Sequence, residues 1–220
     1  ARLVRALSVS GVCGVRFALS PDASDYRVVT AVPRFTRAAG LAAKATGYPV
    51  ARVAAQLSAG MILDEIMLDG RSANFDPKPN YIVTKMPRFP FDRFPGALVR
   101  LDGRMKSAGA AMAIGRTLTE SLMKAVRALD AGARHLYLPK FDGMDKARLL
   151  NYVRDGADDR IHAIAQLFRL GADPDEIHAA SRIDPVYLSA IAGVVQLETQ
   201  VAEQPFCAEV LEKAKKSGFS

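Results

Sequence analysis

This chain of 220 residues is half hydrophobic and carries a formal net charge of +7, which suits one or two domains with a real core. No apolar run approaches the roughly 18 residues of a membrane span. The opening ARLVRALSVSG lacks the apolar stretch of an export signal, so none is expected. The charge is uneven. Residues 1–60 hold Arg2, Arg5, Arg16, Arg27, Arg34, Arg37, Lys44 and Arg52 against only Asp22 and Asp25, whereas the stretch after residue 138 has ten Lys/Arg and thirteen Asp/Glu. Such asymmetry suits an anionic partner for the basic half. Few aromatic residues interleave with the basic ones there, so a small phosphate or carboxylate is favoured over nucleic acid; a solvated basic surface is the alternative reading. Cys13 and Cys207 lie far apart in sequence, as expected of reduced thiols in a cytoplasmic protein.

In chain order, 13–19 alternates as a strand, 20–25 is turn chemistry, and 26–32 is a β-branched partner strand, together a hairpin closed by Pro33. An alanine-rich helix over 37–46 stops at Gly47, and a second runs 49–59 before Gly60. A short helical piece is expected at 63–68, a loop at 69–80, strands at 81–85 and 108–114, and an aromatic-rich irregular segment at 87–95. Thr117 and Glu120 form a capping box for a helix reaching Ala131. From about 145 only helical periods remain: 145–154, 158–170, 174–181, 185–203 and 207–216. The fold expected is α+β followed by an all-helical part, with the boundary at 137/138.

The sequence has few marks of chemistry. No glycine loop fits a nucleotide-binding spacing. His135, His162 and His178 are scattered, without ligand spacing for a metal. No nucleophile elbow is present. The distinctive cluster is Arg34-Phe35-Thr36-Arg37, at a strand end that opens a helix. Helix starts favour anions, and two guanidiniums add bidentate donors. Two solvated arginines are the competing reading.

From this cluster onward the sequence resembles the large subunit of carbamoyl phosphate synthetases. VPRFTRAAGLAAKATGYPVARVAAQLSAG resembles the end of the amino-terminal ATP-grasp module, where a Glu-x-Asn-Pro-Arg strand end leads into a Ser-Lys-Ala-Thr-Gly helix. Pro33, Arg34, Arg37, Lys44, Ala45, Thr46, Gly47 and Pro49 are kept. NYIVTKMPRFPFDRFPG and MKSAGAAMAIGRTLTESLMKA continue the match. ADDRIHAIAQLFRLGADPDEI and SRIDPVYLSAI are similar to the family's oligomerisation domain. The resemblance implies an ATP-grasp end over 1–137, an antiparallel-strand and helix arrangement, then a helical oligomerisation domain over 138–220. It also implies the family reaction: ATP-dependent synthesis of carbamoyl phosphate from bicarbonate and glutamine-derived ammonia, with Mg-ATP as cofactor. The implied partners are a second copy, the rest of a large subunit, and a glutamine amidotransferase small subunit. Neither nucleic acid nor membrane is implied.

Departures from the family pattern bear on activity. The family's metal-binding glutamine, glutamate and asparagine match Arg16, Thr30 and Val32 here, so no metal is expected at those positions. A guanidinium there repels Mg²⁺, which takes hard oxygen ligands. The glutamate that lines the family's carbamate route matches Ala110, and the loop at 69–76 is shorter. The family's phosphate loop and adenine-binding strands precede the matched region. The chain alone is therefore expected to be inactive and free of cofactor, serving scaffold and assembly. A stand-alone regulatory protein, or a ligase half completed by a separate ATP-binding chain, are the alternatives. Arg34 and Arg37 match the arginines that bind the bicarbonate or carboxyphosphate end of the family's site. They are the candidate catalytic residues, with Arg16 joining them as a candidate anion ligand.

Overall fold

A computed structural model describes residues 2–20, 22–94 and 96–220. Ala1, Pro21 of the expected turn and Pro95 at the end of the expected irregular segment lie outside the described residues. The chain forms two compact units that divide at Pro79/Asn80.

The first unit opens with α1 (Arg2–Ala6), a short helix that the sequence pattern did not mark. Strands β1 (Gly14–Leu19) and β2 (Tyr26–Val32) pair antiparallel as the expected hairpin, with a register shift between Arg16 and Phe17. Then come α2 (Arg37–Thr46) and α3 (Val50–Ser58). Helix α2 ends as expected on Gly47, whose φ of 72° is the left-handed conformation that glycine adopts without strain.

The helical piece expected at 63–68 is instead partly strand. β3 (Met67–Leu68) pairs antiparallel with β4 (Arg71–Ser72). The intervening Asp69 and Gly70 both have positive φ, 49° and 84°. An Asp-Gly pair is the favoured two-residue hairpin turn because its twist matches that of the strands. Val53, Ile66, Leu68 and Ala73 form the core of this unit, flanked by Tyr48, Leu57, Met61 and Phe75. The Tyr48 hydroxyl donates to the Ala73 carbonyl at 2.8 Å, and its ring meets Phe75 edge-on.

The second unit begins with β5 (Ile82–Arg88) and β6 (Gly109–Gly115), an antiparallel pair. Strand β5 runs three residues beyond the expected end at Lys85 and includes Pro87, opposite Ala110. Proline is tolerated there because a two-stranded ribbon has an outer edge on which no N–H is required.

Thr117 caps α4 (Leu118–Ala128) by accepting the Glu120 N–H at 3.1 Å. The Glu120 carboxylate reaches back to the Arg116 N–H at 2.7 Å, one residue before the position a capping box usually satisfies. The helix stops before the expected Ala131, since Asp130 already has a φ of 49°. Gly115 lets β6 lie against the start of α4: a Cβ there would meet the Ser121 nitrogen at 2.6 Å.

Helices α5 (Lys146–Asp155), α6 (Arg160–Arg169), α7 (Pro174–Ser181), α8 (Pro185–Glu203) and α9 (Ala208–Lys216) follow the expected periods closely. Their starts use the residues read from the sequence, with Asp173 and Asp184 accepting N–H groups ahead of prolines. Leu122, Met123 and Val126 of α4 share one core with Leu149, Ile164, Leu167, Ile177, Leu188 and Val194. The change from strands to helices near 137/138 therefore falls inside a single packing unit, because α4 buries its apolar face among the later helices. Among the described residues no helix is long and apolar enough to cross a membrane.

Candidate functional site

The β1–β2 ribbon carries Arg16, Thr30 and Val32. Arg16 stands directly opposite Thr30, and Gly14 opposite Val32. Cross-strand partners share a face, and residues two apart along a strand share it too. Arg16, Thr30 and Val32 therefore lie on one side of the ribbon. The register shift after Arg16 sets Phe17 against Val28 and Ala18 against Arg27. Arg27 is thus added to the Arg16 face.

That face presents two guanidiniums, one hydroxyl and an isopropyl group, and no carboxylate. Mg²⁺ requires several hard oxygens and is repelled by a guanidinium at a ligand position, so these side chains do not fit it. Among the described residues no group of three or more His, Cys, Asp or Glu is placed to hold a metal.

Past Val32 the chain bends. The Arg34 N–H donates to the Val32 carbonyl at 2.9 Å. Thr36 has extended backbone angles, and its hydroxyl accepts the Ala39 N–H at 3.2 Å, so α2 begins at Arg37. Phe35 lies within 3.6 Å of where a Cβ on Gly40 would stand, so the first turn of α2 is packed by its own preceding residue. Arg34 and Arg37 are exposed. Neither they nor Arg16 form an ion pair among the described residues. Helix α2 starts with N–H groups that have no acceptor within the helix. The structure thus sets two guanidiniums without ion-pair partners among the described residues on either side of a helix start, with Arg16 on β1 of the hairpin that precedes them.

The second unit contains a polar cluster that sequence reasoning did not mark. The Tyr152 hydroxyl donates to Asp159 at 2.6 Å, and Lys140 donates both to Tyr152, at 2.9 Å, and to Asp159. Burial and then the Asp159 bond push the Tyr152 hydroxyl above the usual tyrosine range. Burial opposes the charge on Lys140, but the bonds to Asp159 and Tyr152 outweigh it and hold that amine above the lysine range. Spacing could not reveal this triad, because its members come from a 3₁₀ turn at Pro139–Phe141, from α5 and from the residue before α6.

Of the three histidines, His135 accepts the Tyr137 N–H at 3.2 Å and His178 Nδ1 meets the Ile183 carbonyl at 2.7 Å. His162 is 8% exposed. Burial lowers its pKa and favours the neutral ring. Cys13 and Cys207 are free thiols.

Short antiparallel ribbons with capped helices, followed by five further helices, make an α+β fold of the class that fits the end of an ATP-grasp module followed by a helical domain. Two family models cover most of the chain. Residues 1–66 match the one described as the carbamoyl-phosphate synthase L chain, ATP binding domain. Residues 110–220 match the one described as the carbamoyl-phosphate synthetase large chain, oligomerisation domain. The chain belongs to the carbamoyl-phosphate synthetase large-chain family.

Proposed function

We propose that this chain is a carbamoyl phosphate synthetase-like segment that does not itself phosphorylate bicarbonate and that contributes scaffold and assembly. The observation that carries this reading is the pairing of Arg16 with Thr30, with Val32 on the same face. Phosphoryl transfer by this family depends on positioned Mg-ATP, and that face holds a cation where hard oxygen ligands are needed. Arg34 and Arg37 keep the anion-binding end of the site, and Arg16 adds to its positive field, so the expected ligand is a metal-free phosphate or carboxylate.

The helical part from 138 onward is the self-association region in this reading, and free thiols at Cys13 and Cys207 suit a cytoplasmic location. The test is ADP release from ATP with and without bicarbonate. No release above a protein-free blank is the expected result, and bicarbonate-stimulated turnover by the chain alone overturns it.

A second reading has its own support. The opposite face of the ribbon leaves Phe17, Leu19, Tyr26 and Val28 between 46% and 68% exposed, and an apolar surface of that kind suits a covering polypeptide. In this reading the chain is a ligase half, completed by a separate ATP-binding chain of the large-subunit type and served by a glutamine amidotransferase. Bicarbonate-dependent ATP turnover that requires a co-purifying second chain would select it.

A further inference from the structure

The second unit contains a cavity of about 470 Å³ between β5, α4, α6 and α8 that no step above uses. Its volume falls in the range of small-molecule pockets. Leu122 and Val126 of α4, Ile164 of α6 and Ile191 of α8 supply apolar wall, and Phe89 and Tyr187 add aromatic rings. The four aliphatic residues are buried and belong to one core, so their packing fixes the wall whether or not a ligand is bound.

The charged groups in the lining balance one another. Arg88 pairs with Asp92 at 2.9 Å. Asp159 is held by Tyr152 and Lys140. Asp158 accepts backbone N–H groups of its own residue and of Asp159, and Arg160, two residues on and half-buried like it, carries the opposite charge. The remaining titratable group is His162. Burial keeps its ring neutral, and its Nδ1 is closed even to water. The cavity therefore offers apolar contact together with equal and opposite charges at its polar side. An ion of either sign finds no net attraction there, and water finds few partners along the aliphatic wall.

We propose that this cavity binds an uncharged small molecule with a largely apolar, ring-containing body. The body packs on Leu122, Val126, Ile164 and Ile191 and displaces water that bonds poorly there. Phe89 and Tyr187 favour a ring, because aromatic pairs attract beyond the area they bury. An ion entering the same space leaves its hydration without a counter-charge to meet it, and that cost sets against the apolar gain. This site is independent of the ribbon face and of whether the chain turns over ATP.

The test titrates the full chain with three probes of one shape, 2-naphthalenemethanol, 2-naphthylmethylamine and 2-naphthoate, followed by ¹H–¹⁵N NMR. The alcohol should give saturable shifts around 122–129 and 161–164. Each ion should bind roughly tenfold or more weakly, since it alone must give up its hydration. Asp158→Asn and Arg160→Gln should each leave the affinity for the alcohol within about twofold, because an uncharged ligand draws on neither charge. Leu129→Trp, which enlarges a side chain of the lining, should weaken binding of the alcohol, and Ala133→Trp is the substitute if that variant does not fold. Binding of either ion as tight as that of the alcohol, a large loss on removing one charge, unchanged affinity in a folded cavity-filled variant, or no saturation at millimolar probe each overturns the proposal. Self-association that the alcohol competes away would assign the cavity to a second chain and overturn it as well.

Discussion

Arg16 and Thr30 face each other across the β1–β2 ribbon, and the register shift falls immediately after Arg16. Residues fourteen apart in sequence therefore form a single local surface, which carries a guanidinium and a hydroxyl. Val32, opposite Gly14, adds an isopropyl group to the same side. Charge repulsion and the lack of oxygen ligands act together there, so a single substitution is not expected to create metal binding.

The triple variant Arg16→Gln, Thr30→Glu, Val32→Asn should acquire weak Mn²⁺ binding. Paramagnetic broadening of NMR signals at 14–32 should appear in the variant at millimolar Mn²⁺ and be absent from the parent. Broadening of the same residues in the parent would show that the cationic face does not exclude the ion.

Arg37→Ala should abolish phosphate- or carbamoyl phosphate-induced shifts at 34–39 and leave the melting temperature within a few degrees. An exposed side chain without a partner contributes little to stability, typically within about 0.5 kcal/mol. A large loss of stability on substitution would instead assign the arginine a structural role.

Acidification should destabilise the second unit through His162. Burial holds the pKa of its native ring below the ordinary 6.5, while Asp159 opposes and Lys140 and His135 add to the effect. Between the native and unfolded values the unfolded chain binds the proton and the native one does not, so stability is full above about 6.5 and falls as pH drops below it. Melting temperature measured from pH 7.5 to 5 should decline less steeply in His162→Leu than in the parent. Parallel profiles would exclude this histidine as the cause.

Gly115→Ala should cost about 2 kcal/mol, since the added methyl meets the Ser121 backbone nitrogen at 2.6 Å and neither element can withdraw without breaking the β5–β6 pair or the start of α4. Urea denaturation would report this as a lower midpoint with unchanged slope. A neutral result would mean that α4 shifts freely on the ribbon.

Phe206 is 96% exposed between α8 and α9, and Leu211 on α9 is 41% exposed. If the helical part self-associates, Phe206→Glu with Leu211→Lys should shift sedimentation toward the monomer at tens of micromolar protein. An unchanged distribution would place the interface elsewhere, and a parent that is already monomeric would remove the assembly role.

Much of this protein can be read from sequence because much of it is local. Capping residues, glycine stops and apolar periods are short-range signals, and they placed α2 and the helices from α5 onward within a few residues. The family, too, could be read from VPRFTRAAG and the helical tail. Other features depend on which distant residues become neighbours. Whether Asp69-Gly70 is loop or hairpin turn depends on Met67–Leu68 finding Arg71–Ser72. The placing of Arg16, Thr30 and Val32 on one face follows from strand register, which the side-chain pattern and the turn geometry set together. The union of α4 with the later helices and the Lys140–Tyr152–Asp159 triad arise from packing between different elements. No local pattern encodes them, because their energy comes from shared burial rather than from backbone preference.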